Sequence, residues 1–261
     1  MPPFRDAWDT GYRTRGRVWG GSPGLVPELP AEGRILELGC GDGKTLSFLV
    51  AAPAISQADT PVSTTAPPSE YPELGQDREL RAPAGELPRS PLLKGDQIPV
   101  TMVSNGNPVE IVGADFSREA LRLCRARSTF RSVRFVAADA RCLPFRDGIF
   151  SLVLMLHVAG HVTKRGREAV AREASRVLTP EGELYFAGFA RGDMREGKGP
   201  EIEPHTFRRN DGTITHYFTE DEVRELFSSL DPVRVETRKW ELRVRGLSHP
   251  RAEINAYFKK D

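Results

Sequence analysis

The segment Glu37-Leu-Gly39-Cys-Gly41-Asp-Gly43 combines residue types and spacing that point to ligand chemistry. Glycines at alternate positions allow a tight turn and close backbone approach, because no Cβ penalises a positive φ. The apolar run Arg34–Leu38 precedes them and a helical pattern, Lys44–Val50, follows. The loop therefore opens a helix whose N-terminus faces a polar ligand. Three kinds of site share this layout. The dinucleotide pattern G-x-G-x-x-G fits Gly39 and Gly41 but meets Lys44 where its third glycine belongs. The phosphate-loop pattern G-x-x-x-x-G-K-[ST] fits Gly43-Lys44-Thr45 but needs a glycine where Leu38 stands. Asp42 would also face the polyphosphate, and Met155 and Leu156 end the fourth strand where an acid for Mg²⁺ is needed. The third pattern, acid-x-G-x-G-x-G, matches at every position. It suits a ligand that lacks phosphate and carries positive charge, which Glu37 and Asp42 attract. A ligand-free turn is the remaining reading, against an entropic cost of roughly 0.5–1 kcal/mol per glycine.

Two further acids end apolar runs: Asp115 after Glu110–Ala114 and Asp139 after Val133–Ala137. A carboxylate accepts two hydrogen bonds at once, although each acid taken alone also suits a helix entry or turn. His157 and His161 lie four apart and share a face if their segment is helical. That spacing can hold a metal, but no glutamate stands where a zinc hydrolase needs one. Packing beneath a ligand is preferred for both histidines, and no metal is expected.

Together these motifs resemble the class I S-adenosylmethionine-dependent methyltransferase family, from about residue 31 to 190 apart from one insertion. The resemblance implies that Glu37, Gly39, Cys40 and Gly41 line the S-adenosyl-L-methionine site. Val112-Gly-Ala-Asp115-Phe-Ser117 is similar to the family's second motif, in which Asp115 takes the ribose hydroxyls and Phe116 covers the adenine. Phe135-Val-Ala-Ala-Asp139-Ala-Arg-Cys-Leu-Pro144 is similar to the third, in which Asp139 accepts from the adenine amino group and the Ala140 N–H meets a ring nitrogen. Phe150–Val162 resembles the fourth, with Ser151 in place of the usual acid, and Leu156 joins the cofactor set. Trp8-Asp-Thr-Gly-Tyr12 and the later Trp19 are similar to the lead-in of the thiopurine and tellurite-resistance branches. An aromatic ring closing over a sulfonium there has a cation–π rationale.

Positioning these residues requires a scaffold in which strands alternate with helices. Five apolar runs do so, at 34–38, 110–114, 133–137, 150–155 and 183–187, with helices at Ser117–Ala126 and Arg165–Leu178. Thr219–Leu230 reads as a helix with a capping box of Thr219 and Glu222. Val233–Val244 and Ala252–Lys259, separated by Gly246-Leu-Ser-His-Pro250, read as an antiparallel edge pair. The expected fold is α/β: a Rossmann-like three-layer sandwich on a mostly parallel seven-stranded sheet. Residues 1–30 form an N-terminal arm or lid and 31–261 the domain. An insertion at 53–108, with ten of the chain's 21 prolines and little periodicity, is expected to be disordered.

Composition narrows the function classes. Lys plus Arg number 37 against 36 Asp plus Glu, for a net charge of +1, so the strong basic excess of many nucleic-acid binders is missing. Cys40, Cys124 and Cys142 form no ligand spacing or disulfide framework. No signal segment or membrane span is read, and a cytoplasmic location is expected. The expected activity is methyl transfer to a small-molecule acceptor. A tRNA or protein acceptor and a non-catalytic cofactor-binding scaffold are the alternatives; nucleic acid is not favoured. Gly188–Thr219, with Arg191, Arg195, His205, Arg208, Arg209, His216 and Tyr217, is the substrate-facing region and reads as a solvated loop. No general base is identified; His157, His161 and the acids near Asp193 are the candidates.

Overall fold

The computed structural model describes residues 3–16, 29–30, 32–51, 102–104, 107–244 and 246–261. Most of the insertion expected at 53–108 lies outside them, as does Trp19. The elements in chain order are α1 (Pro3–Arg15), β1 (Gly33–Leu38), α2 (Leu46–Ala51), β2 (Met102–Ser104), β3 (Asn107–Asp115), α3 (Arg118–Arg125), β4 (Val133–Ala137), β5 (Phe150–Leu156), α4 (Lys164–Val177), β6 (Leu178–Phe189), β7 (Glu201–Glu203), β8 (Thr206–Arg208), β9 (Ile214–His216), α5 (Glu220–Leu226), β10 (Asp231–Val244) and β11 (Leu247–Lys259).

The main sheet runs β10-β11-β6-β5-β1-β3, with β4 paired to β3 at the far edge. The pairs β1–β3, β1–β5, β3–β4 and β5–β6 are parallel, and β11 joins β6 antiparallel. Alternation along the strands builds two cores. Ile35, Leu152 and Leu154 face α2 and α3, packing with Leu46, Leu49, Leu121 and Cys124. Leu36, Leu38, Val153 and Met155 face α4 and α5, packing with Val170, Ala174, Val223 and Phe227. Apolar residues on both sides are what a covered parallel sheet requires. No helix of the described residues is long and apolar enough to cross a membrane.

Three details depart from the sequence reading. The strand expected at 110–114 starts at Asn107, and β2 forms a short antiparallel hairpin with it inside the stretch assigned to the insertion. The turn expected at Gly246–Pro250 is shorter, because Val244 pairs with Leu247 and Glu241 with Pro250. A proline fits there because β6 pairs with β11 only from Glu253 onward, so fewer ladder bonds need its missing N–H. The crossing expected as a solvated loop instead carries the three-stranded sheet β7-β8-β9. Thr206, Thr213, Thr215, His216 and Tyr217 are buried in or beside it. His216 is satisfied by Glu222 at 2.8 Å and by Thr206 at 2.8 Å, so the polar residues turn inward in bonded pairs.

Candidate functional site

The glycine loop leaves β1 with Gly39, Gly41 and Gly43 at φ values of 74°, 54° and 83°. Each also lies where a side chain has no room. A Cβ on Gly39 would run into Val158 Cγ2, one on Gly41 would lie 2.6 Å from the Tyr12 hydroxyl, and one on Gly43 2.5 Å from the Phe130 ring. The loop is tied to β3: the Gly39 and Cys40 amides donate to the Ala114 carbonyl at 2.7 and 3.0 Å. The two oxygens of Asp115 accept from the Gly41 and Ser117 amides, both at 2.8 Å. Burial pushes the Asp115 carboxyl up to about 6, against the pull of those amides. Glu37 is more extreme. Burial drives its carboxyl up to about 8, although the Thr45 hydroxyl and Leu46 amide bond to it, and its Oε2 is buried without a hydrogen-bond partner.

Helix α1 lies across this loop. Arg5, Trp8, Asp9 and Tyr12 fall at i, i+3, i+4 and i+7, one helical face. Tyr12 is 4% exposed against Gly41, and burial beside Asp115 and Asp42 drives its phenol far above the ordinary range. Trp8 stacks 6.3 Å from Tyr12 and meets His161 edge-on at 5.0 Å. Asp9 accepts the Ser117 hydroxyl at 2.5 Å, and Arg5 lies 6.0 Å over the Phe116 ring. The Trp-x-x-x-Tyr spacing pointed to this arm. Arg5 and Asp9 were missed, yet the same helical spacing marks them.

The remaining candidates are only partly gathered. Phe116 is half-buried under Arg5. Asp139, at the end of β4, is held in a bidentate pair by Arg141 at 2.9 and 2.6 Å; that hydrogen bond lowers its carboxyl despite partial burial. Ala140 is half-buried against the α4-side core and Leu156 against the α2-side core. Cys40 is buried, and its thiol and that of Cys124 both approach the Gly41 carbonyl, at 3.9 and 3.3 Å. The helix considered for the two histidines is replaced by a break at His157, whose φ is 59°, and a single 3-10 turn at Ala159–His161. His161 bonds the Ile214 carbonyl through Nδ1 at 2.7 Å, and burial pushes its imidazole down to about 4. It is a packed neutral ring beneath Trp8. His157 instead meets Glu253 of β11 at 3.0 Å. Asp193 is spent in a buried pair, with Arg251 Nε at 2.6 Å and the Ala252 amide at 3.3 Å on one oxygen.

The glycine loop, Asp115 and Asp139 all lie at the carboxyl ends of parallel strands, where open α/β sheets take ligands. A protein-family profile described as "Methyltransferase domain" matches residues 95–186, starting within the insertion and leaving out the glycine loop. That stretch is a methyltransferase domain. Among similar proteins, the tRNA N(3)-methylcytidine methyltransferase Mettl2 of Drosophila melanogaster is 28% identical over 211 residues, 74% of this chain and 64% of its own length. The malonyl-[acyl-carrier protein] O-methyltransferase of Geobacter sulfurreducens is 40% identical over 94 residues, 35% of this chain and 34% of its own. The chain thus spans less than two thirds of these relatives. A solved S-adenosylmethionine-dependent methyltransferase from Methanosarcina mazei superposes at a TM-score of 0.55 with 19% identity, covering 89% of this chain and 94% of that one, a likeness of fold. The methyltransferase domain fits a phosphate-free cationic cofactor on two observations. Its loop glycines take left-handed φ with no room for a side chain, and Glu37 keeps a carboxyl oxygen unpaired beside them.

Proposed function

We propose that this chain transfers a methyl group from S-adenosylmethionine to a nucleobase of tRNA. The unpaired Oε2 of Glu37 beside three left-handed glycines carries the cofactor half of this reading. Bound on the loop, S-adenosylmethionine supplies an activated methyl group for in-line displacement. Glu37 attracts the cofactor's ammonium group. Asp115 fixes the loop through the Gly41 amide and retains lone pairs for the ribose hydroxyls. Asp139 and the Ala140 amide meet the adenine edge, with Arg141 holding the Asp139 carboxylate in place. Helix α1, with Trp8 and Tyr12, excludes water and orients the donor, which is most of what such a reaction asks of a protein. The three free cysteines support a reducing, cytoplasmic setting.

For the acceptor, the similarity to a tRNA methyltransferase agrees with a surface at the same end of the sheet. A cleft of about 390 Å³ is lined by Lys239, Trp240, Glu241 and Arg251 among others. Arg251 lies 5.3 Å from the Trp240 ring and Arg238 6.0 Å from it. Arginines around a partly exposed indole suit unpaired bases and their phosphates. A small-molecule acceptor is the second reading, favoured by the net charge of only +1.

The test is tritium transfer from methyl-labelled S-adenosylmethionine to bulk tRNA or to a metabolite panel. Label in tRNA, with binding that weakens steeply as salt rises, supports the first reading. Label only in a metabolite supports the second. Failure to bind S-adenosylmethionine at millimolar concentration overturns both.

A further inference from the structure

Near the carboxyl ends of β5 and β6, three buried polar atoms lack a hydrogen-bond partner: Nδ1 of His157, Oη of Tyr185 and Nδ2 of Asn255. The β6–β11 register puts them together. Phe189 stands opposite Glu253, Ala187 opposite Asn255 and Tyr185 opposite Tyr257, and opposed residues of an antiparallel ladder share a face. Glu253 sits among the three, 3.0 Å from His157 Nε2 and close enough to Tyr185 to act on its phenol. Native structures pair their buried polar atoms, so several orphans on one face need an explanation.

The backbone points the same way. His157 occupies a left-handed conformation at φ 59°, sparsely populated for non-glycine residues. Its amide is tied to the Ala187 carbonyl at 2.7 Å, and its ring lies 4.6 Å from that of Phe189. The next residue, Val158, packs on Gly39. The cluster therefore begins one residue from the glycine loop.

Its hydrogen-bonding inventory describes a ligand. Glu253 accepts the Nε2 proton, which leaves a lone pair on Nδ1. Asn255 Nδ2 donates, the Tyr185 hydroxyl does either, and the Glu253 carboxylate keeps further lone pairs. A phosphate would meet the Glu253 charge, and an apolar group would leave every orphan unpaired. A planar group carrying both donors and acceptors satisfies them, with the Phe189 and His157 rings beside it.

We propose that His157, Tyr185 and Asn255, with Glu253 as the residue that positions His157, form the acceptor subsite for the edge of an amino-bearing nitrogen heterocycle. This rests on the methyl-transfer reading above. The full chain, labelled with ¹⁵N-histidine and saturated with S-adenosylhomocysteine, is titrated with bulk tRNA and with cytidine monophosphate. His157→Gln assigns the imidazole signals. The expected result is a displaced His157 Nδ1 resonance with at least one probe. Glu253→Gln and, independently, Asn255→Leu then raise that probe's half-saturating concentration about tenfold or more, with S-adenosylhomocysteine affinity held within about twofold. Two separate substitutions keep the test decisive if one chain does not fold. A His157 signal unmoved by both probes, or half-saturation unchanged in the variants, overturns the subsite while leaving the cofactor reading intact. Failure of S-adenosylhomocysteine to bind the native chain overturns the reading beneath it.

Discussion

Glu37 offers a test in which thermodynamics reports on the cofactor site without an acceptor. Its carboxyl titrates at about 8 in the folded chain against 4.5 in the reference state, with burial as the main cause. A carboxyl raised on folding favours the folded state fully below its unfolded value, and that advantage is lost as pH rises towards 8. The loss amounts to about 3 kcal/mol at pH 7 and about 5 kcal/mol above pH 9, taking about 1.36 kcal/mol for each tenfold change in proton affinity. A cationic ligand beside Oε2 reverses this preference and favours the carboxylate. Binding of S-adenosylmethionine at pH 7 should therefore release about 0.9 proton, and affinity should rise roughly tenfold per pH unit up to about 8 before levelling. Asp115, at about 6, adds only about 0.1 proton at pH 7. Calorimetry in buffers of different ionisation enthalpy counts the protons directly. Glu37→Gln should abolish most of the release, weaken cofactor binding and raise the melting temperature at pH 8 to 9. Equal release by the native chain and the Glu37→Gln variant, or none by the native chain, would refute the assignment of Glu37.

Other perturbations separate loop, core and ion pair. Gly39→Ala places a methyl group against Val158 at φ 74°, for a loss of about 2–4 kcal/mol from left-handed strain and overpacking. Urea unfolding measures this, and no change would show that the loop relaxes freely. Asp193→Asn leaves Arg251, 11% exposed at its side chain, without its charged partner. The expected loss is about 3 kcal/mol, together with looser packing of Arg251 on Phe189 and Trp240 that Trp240 fluorescence should register. Phe186→Ala empties a fully buried position between Phe218 and Phe227. It should cost about 3–5 kcal/mol in denaturant unfolding, and a much smaller value would mean that the α5 side of the core collapses into the gap.

Much of the fold was legible in the chain because its information is local. The apolar runs at 34–38 and 150–155 are those of central strands buried on both faces, and 133–137 is the shorter, half-exposed run of an edge strand. Ser117 and Thr219 cap their helices as their side chains allow, accepting from the Ala120 and Glu222 amides. Alternate glycines ahead of a helix likewise state a backbone requirement, and all three take the positive φ that it demands. The face of α1 could be read from its spacing, although not what that face would meet.

Only the tertiary structure decided which residues from distant segments share a site. His157 and Glu253 stand 96 positions apart, and β11 brings them to 3.0 Å by running antiparallel beside β6. The pairing of Asp193 with Arg251 arises in the same way. Whether a buried acid is satisfied also depends on several segments at once, as Glu37 with one orphan oxygen and Asp115 with two bonded ones illustrate. The crossing Gly188–Thr219 reads as solvated because its residues are polar, but polarity does not reveal a partner, and His216 finds Glu222 and Thr206 within the protein. A sequence records what each residue can bond. Strand order and register determine which of those bonds form.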